Sequence, residues 1–244
     1  MSHDEYHTSG EFLDPFSHGA WRALREPVVA ALAGAAPDAG PVVDLGAGSG
    51  LGTRVIAETL PYAHILAVEP SAIQRAALFA RLDGLHDRVT VVAADAESAD
   101  LPDRLGAVVA INMIGHLDAD ARRALWRRVA DRLAPGAPLV VNLQPPAEPV
   151  EVPETEFVTV RVGGHTYVGS GAAQRASPDS VTWRMRYRVR DDAGRPVREA
   201  SAEYRWHVLS PAGLLAELSA AGFDAAVGSL DVVRAVISHP PTGS

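Results

Sequence analysis

Apolar and polar residues change their period along this chain, and the changes divide it. Up to residue 36 the spacing is helical, with Trp21, Leu24, Val28 and Leu32 recurring on one face. From 37 to 144 short apolar runs alternate with helical stretches. "PVVDLG", "HILAVE", "RVTVVAAD", "GAVVAINMI" and "APLVVNL" read as buried strands. "LGTRVIAETL" reads as a helix closed by Pro61. "SAIQRAALFARLDG" reads as one opened by a capping box of Ser71 and Gln74 and closed by Gly84. "DADARRALWRRVADRLAPG" predicts a long helix from Asp118, with Gly136 after its end. This alternation predicts an open, mostly parallel α/β sheet with helices on both faces. Ligands of such sheets sit at the carboxyl ends of the strands.

From 145 to 209 the helical period disappears. "EFVTVRV", "HTYVG", "VTWRMRYRVR" and "REASAEYRWHV" have strand character, and "RDDAGRP" is a strong turn between the last two. This is far longer than an ordinary αβ connection of about 2–6 residues. It predicts an antiparallel β insertion attached to the sheet. Alternation puts Trp183, Met185 and Tyr187 on one face and Arg184, Arg186 and Arg188 on the other. The insertion is therefore a flap packed on the core, a substrate cover or a homodimer surface. From 210 to 244 a helix capped by Ser210 with Pro211 at its first position precedes two strands close enough to form a hairpin.

Composition narrows the chemistry. Of 244 residues, 47% are hydrophobic and 21% charged, which suits a packed core. Cysteine is absent, and all 22 basic residues are arginine. Thiolate metal sites, cysteine nucleophiles, Schiff-base chemistry and a P-loop lysine are therefore excluded. The net charge of -8 disfavours a nucleic-acid partner. No apolar run is long enough to span a bilayer, so the expected location is the cytoplasm.

The densest signal is "VVDLGAGSGLGT", where glycine stands at 46, 48, 50 and 52 after a strand ending in Asp44. A dinucleotide fingerprint fits Gly46 and Gly48 but meets Leu51 where a small residue is needed. A different ligand fits better. Loop amides can meet a carboxylate while Asp44 accepts from an ammonium. Glu69, ending the second strand, can accept from both ribose hydroxyls, and Asp95, after the third, from an adenine amine. Amino acid, ribose and adenine together describe S-adenosylmethionine (SAM).

On these residues the chain resembles the class I SAM-dependent methyltransferases of small molecules. "VVDLGAGSG" is similar to their first motif, "AVEPS" to their acidic second-strand end, "VVAADAE" to their adenine loop and "AVVAINMIGHL" to their fourth-strand motif. "LAPGAPLVV" is similar to their fifth strand and "LSPAGLLAELSAAGF" to their late helix. The resemblance implies a Rossmann-like seven-stranded sheet with one antiparallel strand. It also implies a cofactor site of Asp44, Gly46, Ala47, Gly48, Gly50, Glu69, Pro70, Asp95, Ala96 and Asn112. "NMIGHL" replaces the Asn/Asp-Pro-Pro-aromatic signature of enzymes that methylate adenine amines, which points to a small-molecule substrate.

Methyl transfer needs positioning, water exclusion and, for a hydroxyl acceptor, a base. His116 follows the fourth strand and is the candidate catalytic base or orienting group. The resemblance implies an amino-terminal lid over the cofactor, with Tyr6, His7, Phe16, His18 and Trp21 as candidates, and the expected substrate-binding residues are Tyr6, His7, Phe16 and Trp21 from that lid with Tyr167 and Trp183 from the insertion. The expected activity is methylation of an O or N atom of a small molecule. The alternatives are a SAM-binding protein with a non-methylating reaction such as a cyclisation, a nucleotide-binding oxidoreductase, and a protein or RNA methyltransferase.

Overall fold

The computed structural model describes residues 6–238, and its strands fall in two sheets. A long first helix, α1 (Gly10–Ala31), leads into β1 (Val42–Leu45), α2 (Leu51–Thr59), β2 (Ile65–Val68), α3 (Ala72–Arg81) and β3 (Val89–Val92). Then come β4 (Ala107–Ala110), α4 (Ala119–Ala130) and β5 (Leu139–Asn142). After the insertion, α5 (Pro211–Ala220) precedes β10 (Phe223–Val227) and β11 (Val232–Ile237). The seven-stranded sheet runs β10-β11-β5-β4-β1-β2-β3, and β11 is antiparallel to both its neighbours. The expected Rossmann-like sheet with one antiparallel strand is therefore present.

Both faces of that sheet are buried, which is why its central strands read as unbroken apolar runs. Val43, Leu45, Val108 and Val141 pack towards Leu125, Trp126 and Val129 of α4 and Leu214 and Leu218 of α5. Val42, Ala67, Val109 and Val140 pack with Leu24 and Val28 of α1 and Val55 and Ile56 of α2. The strand order reverses between β1 and β4, so their carboxyl ends form the crevice in which such folds hold ligands.

The insertion forms β6 (Val152–Val162), β7 (His165–Ser177), β8 (Ser180–Asp191) and β9 (Pro196–His207), paired in chain order as an antiparallel meander. The expectation that it attaches to the main sheet needs correcting: among the described residues the two sheets share no strand pair. Side-chain packing joins them instead. Phe12 and Phe16 of α1 meet Tyr187 and Val189, with the Phe12 and Tyr187 rings stacked at 5.0 Å. Burying an aromatic of this size stabilises by about 1.5–3 kcal/mol. The arginine face is also not a bare basic surface. Arg184 pairs with Glu203 at 2.9 Å, Arg186 with Glu154 and Glu199 at 3.4 Å, and Arg188 with Glu156 at 3.2 Å. Glutamates on β6 and β9 neutralise it.

One helix end and one half of a capping box differ from expectation. Helix α4 stops at Ala130 because the next residues are captured by the approach to β4: the Leu105 amide donates to Arg132 O and the Ala134 amide to Leu105 O, both at 2.9 Å. Gly136, with φ +77°, belongs to the turn that follows. At α3, the Ser71 hydroxyl accepts from the Gln74 amide as a cap should, but the Gln74 side chain donates to the Gly10 carbonyl at 3.3 Å. That half of the capping box anchors the first turn of α1. No described helix is long and apolar enough to cross a membrane.

Candidate active site

The loop after β1 has to turn sharply while staying in contact with two neighbours. Gly46, Gly48 and Gly50 all have positive φ, at +70°, +55° and +84°. At Gly46 a Cβ would stand 2.8 Å from Met113 Cβ, and at Gly50 it would overlap the Leu78 side chain. Only glycine meets both demands at these two positions. The loop is tied to β2 by the Gly46 and Ala47 amides, which donate to Val68 O at 2.9 and 3.0 Å, and Ala47 is itself buried.

Glu69 completes the loop. Its Oε2 accepts from the Gly48 amide at 2.8 Å and its Oε1 from the Ser71 amide at 2.7 Å. The carboxylate thereby ties the glycine loop to the start of α3. Pro70 is exposed, and its carbonyl accepts from Arg75 at 2.7 Å. Past β3, the exposed Asp95 accepts from the amide and hydroxyl of Ser98, both at 2.7 Å. The Ser98 hydroxyl bond leads in holding the Asp95 carboxyl below its usual range, so it is an anion at neutral pH. Ala96 is buried beside it, its carbonyl accepting from Arg128 at 3.1 Å.

Asp44 is buried at the end of β1 and accepts from the Thr53 hydroxyl at 2.6 Å. Burial lifts its carboxyl from 3.8 to about 6, opposed by the Thr53 bond and helped by the charge of Glu69. The folded protein therefore favours the protonated form, and stability falls as pH rises from about 3.8 to about 6. An ammonium ligand has the opposite preference, because it needs the carboxylate. SAM affinity should be constant near pH 7 and fall about tenfold per pH unit below about 6, with one proton released on binding at pH 5. Calorimetry from pH 5 to 7 in buffers of different ionisation enthalpy checks this. An affinity that does not change over that range would show that no ammonium meets Asp44.

Three distant segments meet beyond the loop. The Tyr6 hydroxyl lies 2.9 Å from His116 Nε2, and the two rings make an edge contact at 6.2 Å. The ring of Trp206 from β9 packs edge-on against His116 at 4.9 Å and occupies the space a side chain at Gly115 would need. Tyr204, also on β9, lies 5.6 Å from Tyr6 and shares a short hydrogen bond with the hydroxyl of the buried Ser9. Trp21 comes from α1 to the glycine loop, where a Cβ on Gly52 would stand 2.7 Å from its ring and 3.6 Å from Asp44 Oδ2.

Other expected lining residues lie elsewhere. Phe16 and Tyr167 belong to the apolar seam between α1 and the second sheet, where they hold the two layers together. Trp183 packs with Val181, Trp206 and Val208, and pairs in register with Tyr204, so it backs the site. His7 and His18 are exposed, and His18 meets Asp14 at 3.3 Å. Three residues went unread in the sequence: Ser9, Tyr204 and Asn142. Tyr204 alternates with Trp206 along one strand face, and Asn142 is a polar end to an apolar strand. Either pattern was a usable signal.

Residues 42–136 match the family model described as a methyltransferase domain. Residues 42–136 therefore form a methyltransferase domain. Solved structures agree with this fold. CalS10 of Micromonospora echinaspora, an amino pentose methyltransferase involved in calicheamicin biosynthesis and solved with SAM bound, is 24% identical. The match covers 89% of this chain and 92% of that one, with a TM-score of 0.71. DesVI of Streptomyces venezuelae is 18% identical over 98% and 100% of the two chains, with a TM-score of 0.75. KedS8, a sugar N-methyltransferase from a Streptoalloteichus species, is 23% identical over 91% and 90%, with a TM-score of 0.72. No curated protein sequence matches significantly. The cofactor of such a domain is S-adenosylmethionine, and the carboxylates of Asp44 and Glu69 are acceptors of the kind that its ammonium and ribose hydroxyls need.

Proposed function

We propose that the enzyme methylates a nitrogen or oxygen of a small molecule, bound between the amino-terminal segment and the second sheet. The observation that carries this reading is the meeting of Tyr6, His116, Tyr204 and Trp206 beside the β4 end of the sheet. Aromatic walls with a few polar groups suit a small, partly apolar ligand. They also suit exclusion of water. Support for an amino sugar as the first class to test comes from CalS10, an amino pentose methyltransferase, and KedS8, a sugar N-methyltransferase.

Bound SAM supplies a methyl group already activated on sulfur. The chain's own work is orientation, which contributes up to about 7–11 kcal/mol in favourable cases. Asp44 holds the ammonium and Glu69 the ribose. The acceptor lies towards His116, whose ring is fixed by Tyr6 on one side and Trp206 on the other. For a hydroxyl acceptor His116 removes the proton. For an unprotonated amine it only orients.

Release of S-adenosylhomocysteine in the presence of amino sugars, tested against peptide and RNA acceptors, checks the reading. Transfer to peptide or RNA alone would overturn it. His116→Ala should lower the rate by roughly 100-fold with a hydroxyl acceptor and only slightly with an amine. Deleting residues 1–9 removes Tyr6 and Ser9 but keeps α1, whose Phe12 and Phe16 hold the second sheet. That protein should keep its far-UV circular dichroism and lose at least about tenfold in turnover, the lower end of what misplacing a reactant costs. Full turnover would show that the segment is no lid.

A further inference from the structure

Asn112 follows β4, and its backbone is in the left-handed region at φ +59°. Non-glycine residues adopt this conformation uncommonly, asparagine more readily than most, and something must hold it there. The holder is Asn142, at the end of β5 and buried with 4% exposure. The Asn112 backbone amide donates to Asn142 Oδ1 at 2.7 Å, and Asn142 Nδ2 donates to Asn112 Oδ1 at 2.7 Å.

This pairing fixes both side-chain amides. A backbone N–H can only donate, so the Asn142 atom facing it must be oxygen. Its nitrogen then faces Asn112, whose oxygen must accept. The Nδ2 of Asn112 is thereby turned away from Asn142 as a donor. Strand order says which part of the ligand would lie at this strand end. The sequence β4-β1-β2-β3 puts Asp44 on β1, Glu69 after β2 and Asp95 after β3. A ligand with ribose at Glu69 and adenine at Asp95 has its amino-acid end at β1 and β4. Met113, next to Asn112, packs on Gly46 at the start of the glycine loop. Asp44 provides an acceptor for the ammonium there, and Asn112 Nδ2 provides a donor for the neighbouring carboxylate.

We propose that Asn142 is a positioning residue for the cofactor: through its reciprocal amide pair it aims Asn112 Nδ2 at the carboxylate of the amino-acid end. The inference rests on the SAM site argued above and adds to it the residue that orients one of its donors.

The test compares S-adenosylhomocysteine, which has the amino-acid end, with 5′-methylthioadenosine, which lacks it. Both are measured by calorimetry on the full chain. Asn112→Asp keeps an acceptor for Asn142 Nδ2 and tolerates the left-handed backbone, but replaces the outward donor by an acceptor. It should weaken S-adenosylhomocysteine at least about tenfold, as expected for a lost hydrogen bond to a charged group. Binding of 5′-methylthioadenosine should stay within about twofold and Tm should change little, because the substitution is isosteric. Asn142→Leu should give the same ligand selectivity. A merely structural role would weaken both ligands together, and that result overturns the inference. So does unchanged S-adenosylhomocysteine binding in either variant. If the wild-type chain binds no S-adenosylhomocysteine, the cofactor assignment itself fails, and the inference with it.

Discussion

Glu69→Ala should weaken SAM binding by roughly a thousandfold. A hydrogen bond to a charged group contributes about 1.5–3 kcal/mol, and a ribose presents two hydroxyls to this carboxylate. A thousandfold corresponds to about 4 kcal/mol, within the roughly 3–6 kcal/mol that two such bonds contribute together. The substitution also releases the Gly48 and Ser71 amides, which the carboxylate holds at 2.8 and 2.7 Å. The loop that must approach the ligand would lose its tie just where Gly48 needs it. Glu69→Gln keeps one oxygen and turns the other acceptor into a donor, so it should fall between the two. Asp95→Ala should cost less, about tenfold at most, because its carboxylate is exposed and any bond there competes with water. Calorimetric titration of the three variants gives the order directly. A loss below tenfold for Glu69→Ala would mean that the ribose is held elsewhere.

What could be read along the chain, and what could not, separates by the distance over which each feature is decided. The glycine loop and its acids were legible because local chemistry dictates them. Gly46 needs a positive φ and a missing side chain, Asp44 lies within the short buried strand β1, and Glu69 directly follows the apolar run of β2. The strands of the insertion are legible by alternation, with Tyr187 on the face that packs on α1 and Arg184, Arg186 and Arg188 paired with glutamates on the other. Contacts across the fold were not legible. Tyr6 and His116 are 110 residues apart, and Ser9 and Tyr204 are 195 apart, so no local pattern links them. The same limit explains Gln74, drawn away from its cap by Gly10, and the early end of α4, where Leu105 captures the following turn. Aromatics outside a core motif, such as Phe16 and Tyr167, suggest a ligand when only the sequence is considered. In the structure those rings pack between α1 and the second sheet, which shares no strand pair with the first among the described residues.

That lack of pairing makes the return of the chain to the core a critical point for stability. Helix α5 carries it back after the excursion through β6 to β9, and Glu217 pins the helix in place. Its carboxylate accepts from Arg122 Nη2 at 2.8 Å, from Arg122 Nε at 3.0 Å and from Trp126 Nε1 at 3.3 Å, all on α4. Arg122 is 4% exposed and Glu217 13%, so water screens this pair little. Arg122 also caps the turn before α4 by donating from Nη1 to Leu117 O at 2.8 Å, one residue beyond His116. Glu217→Ala would leave the guanidinium buried without its counter-charge. Removing one partner of a buried pair typically costs about 3–5 kcal/mol, mostly the penalty of the stranded charge. Urea denaturation should show that loss, with a lower midpoint and an unchanged slope. Arg184→Ala is the control. Its pair with Glu203 is more than half exposed on both sides, so it should cost less than about 1 kcal/mol. Equal losses for the two would refute the burial argument. A double variant, Arg122→Leu with Glu217→Leu, should recover much of the loss because it removes both charges together. Turnover need not recover with it, since Leu117 O would have lost the donor that steadies the turn carrying His116.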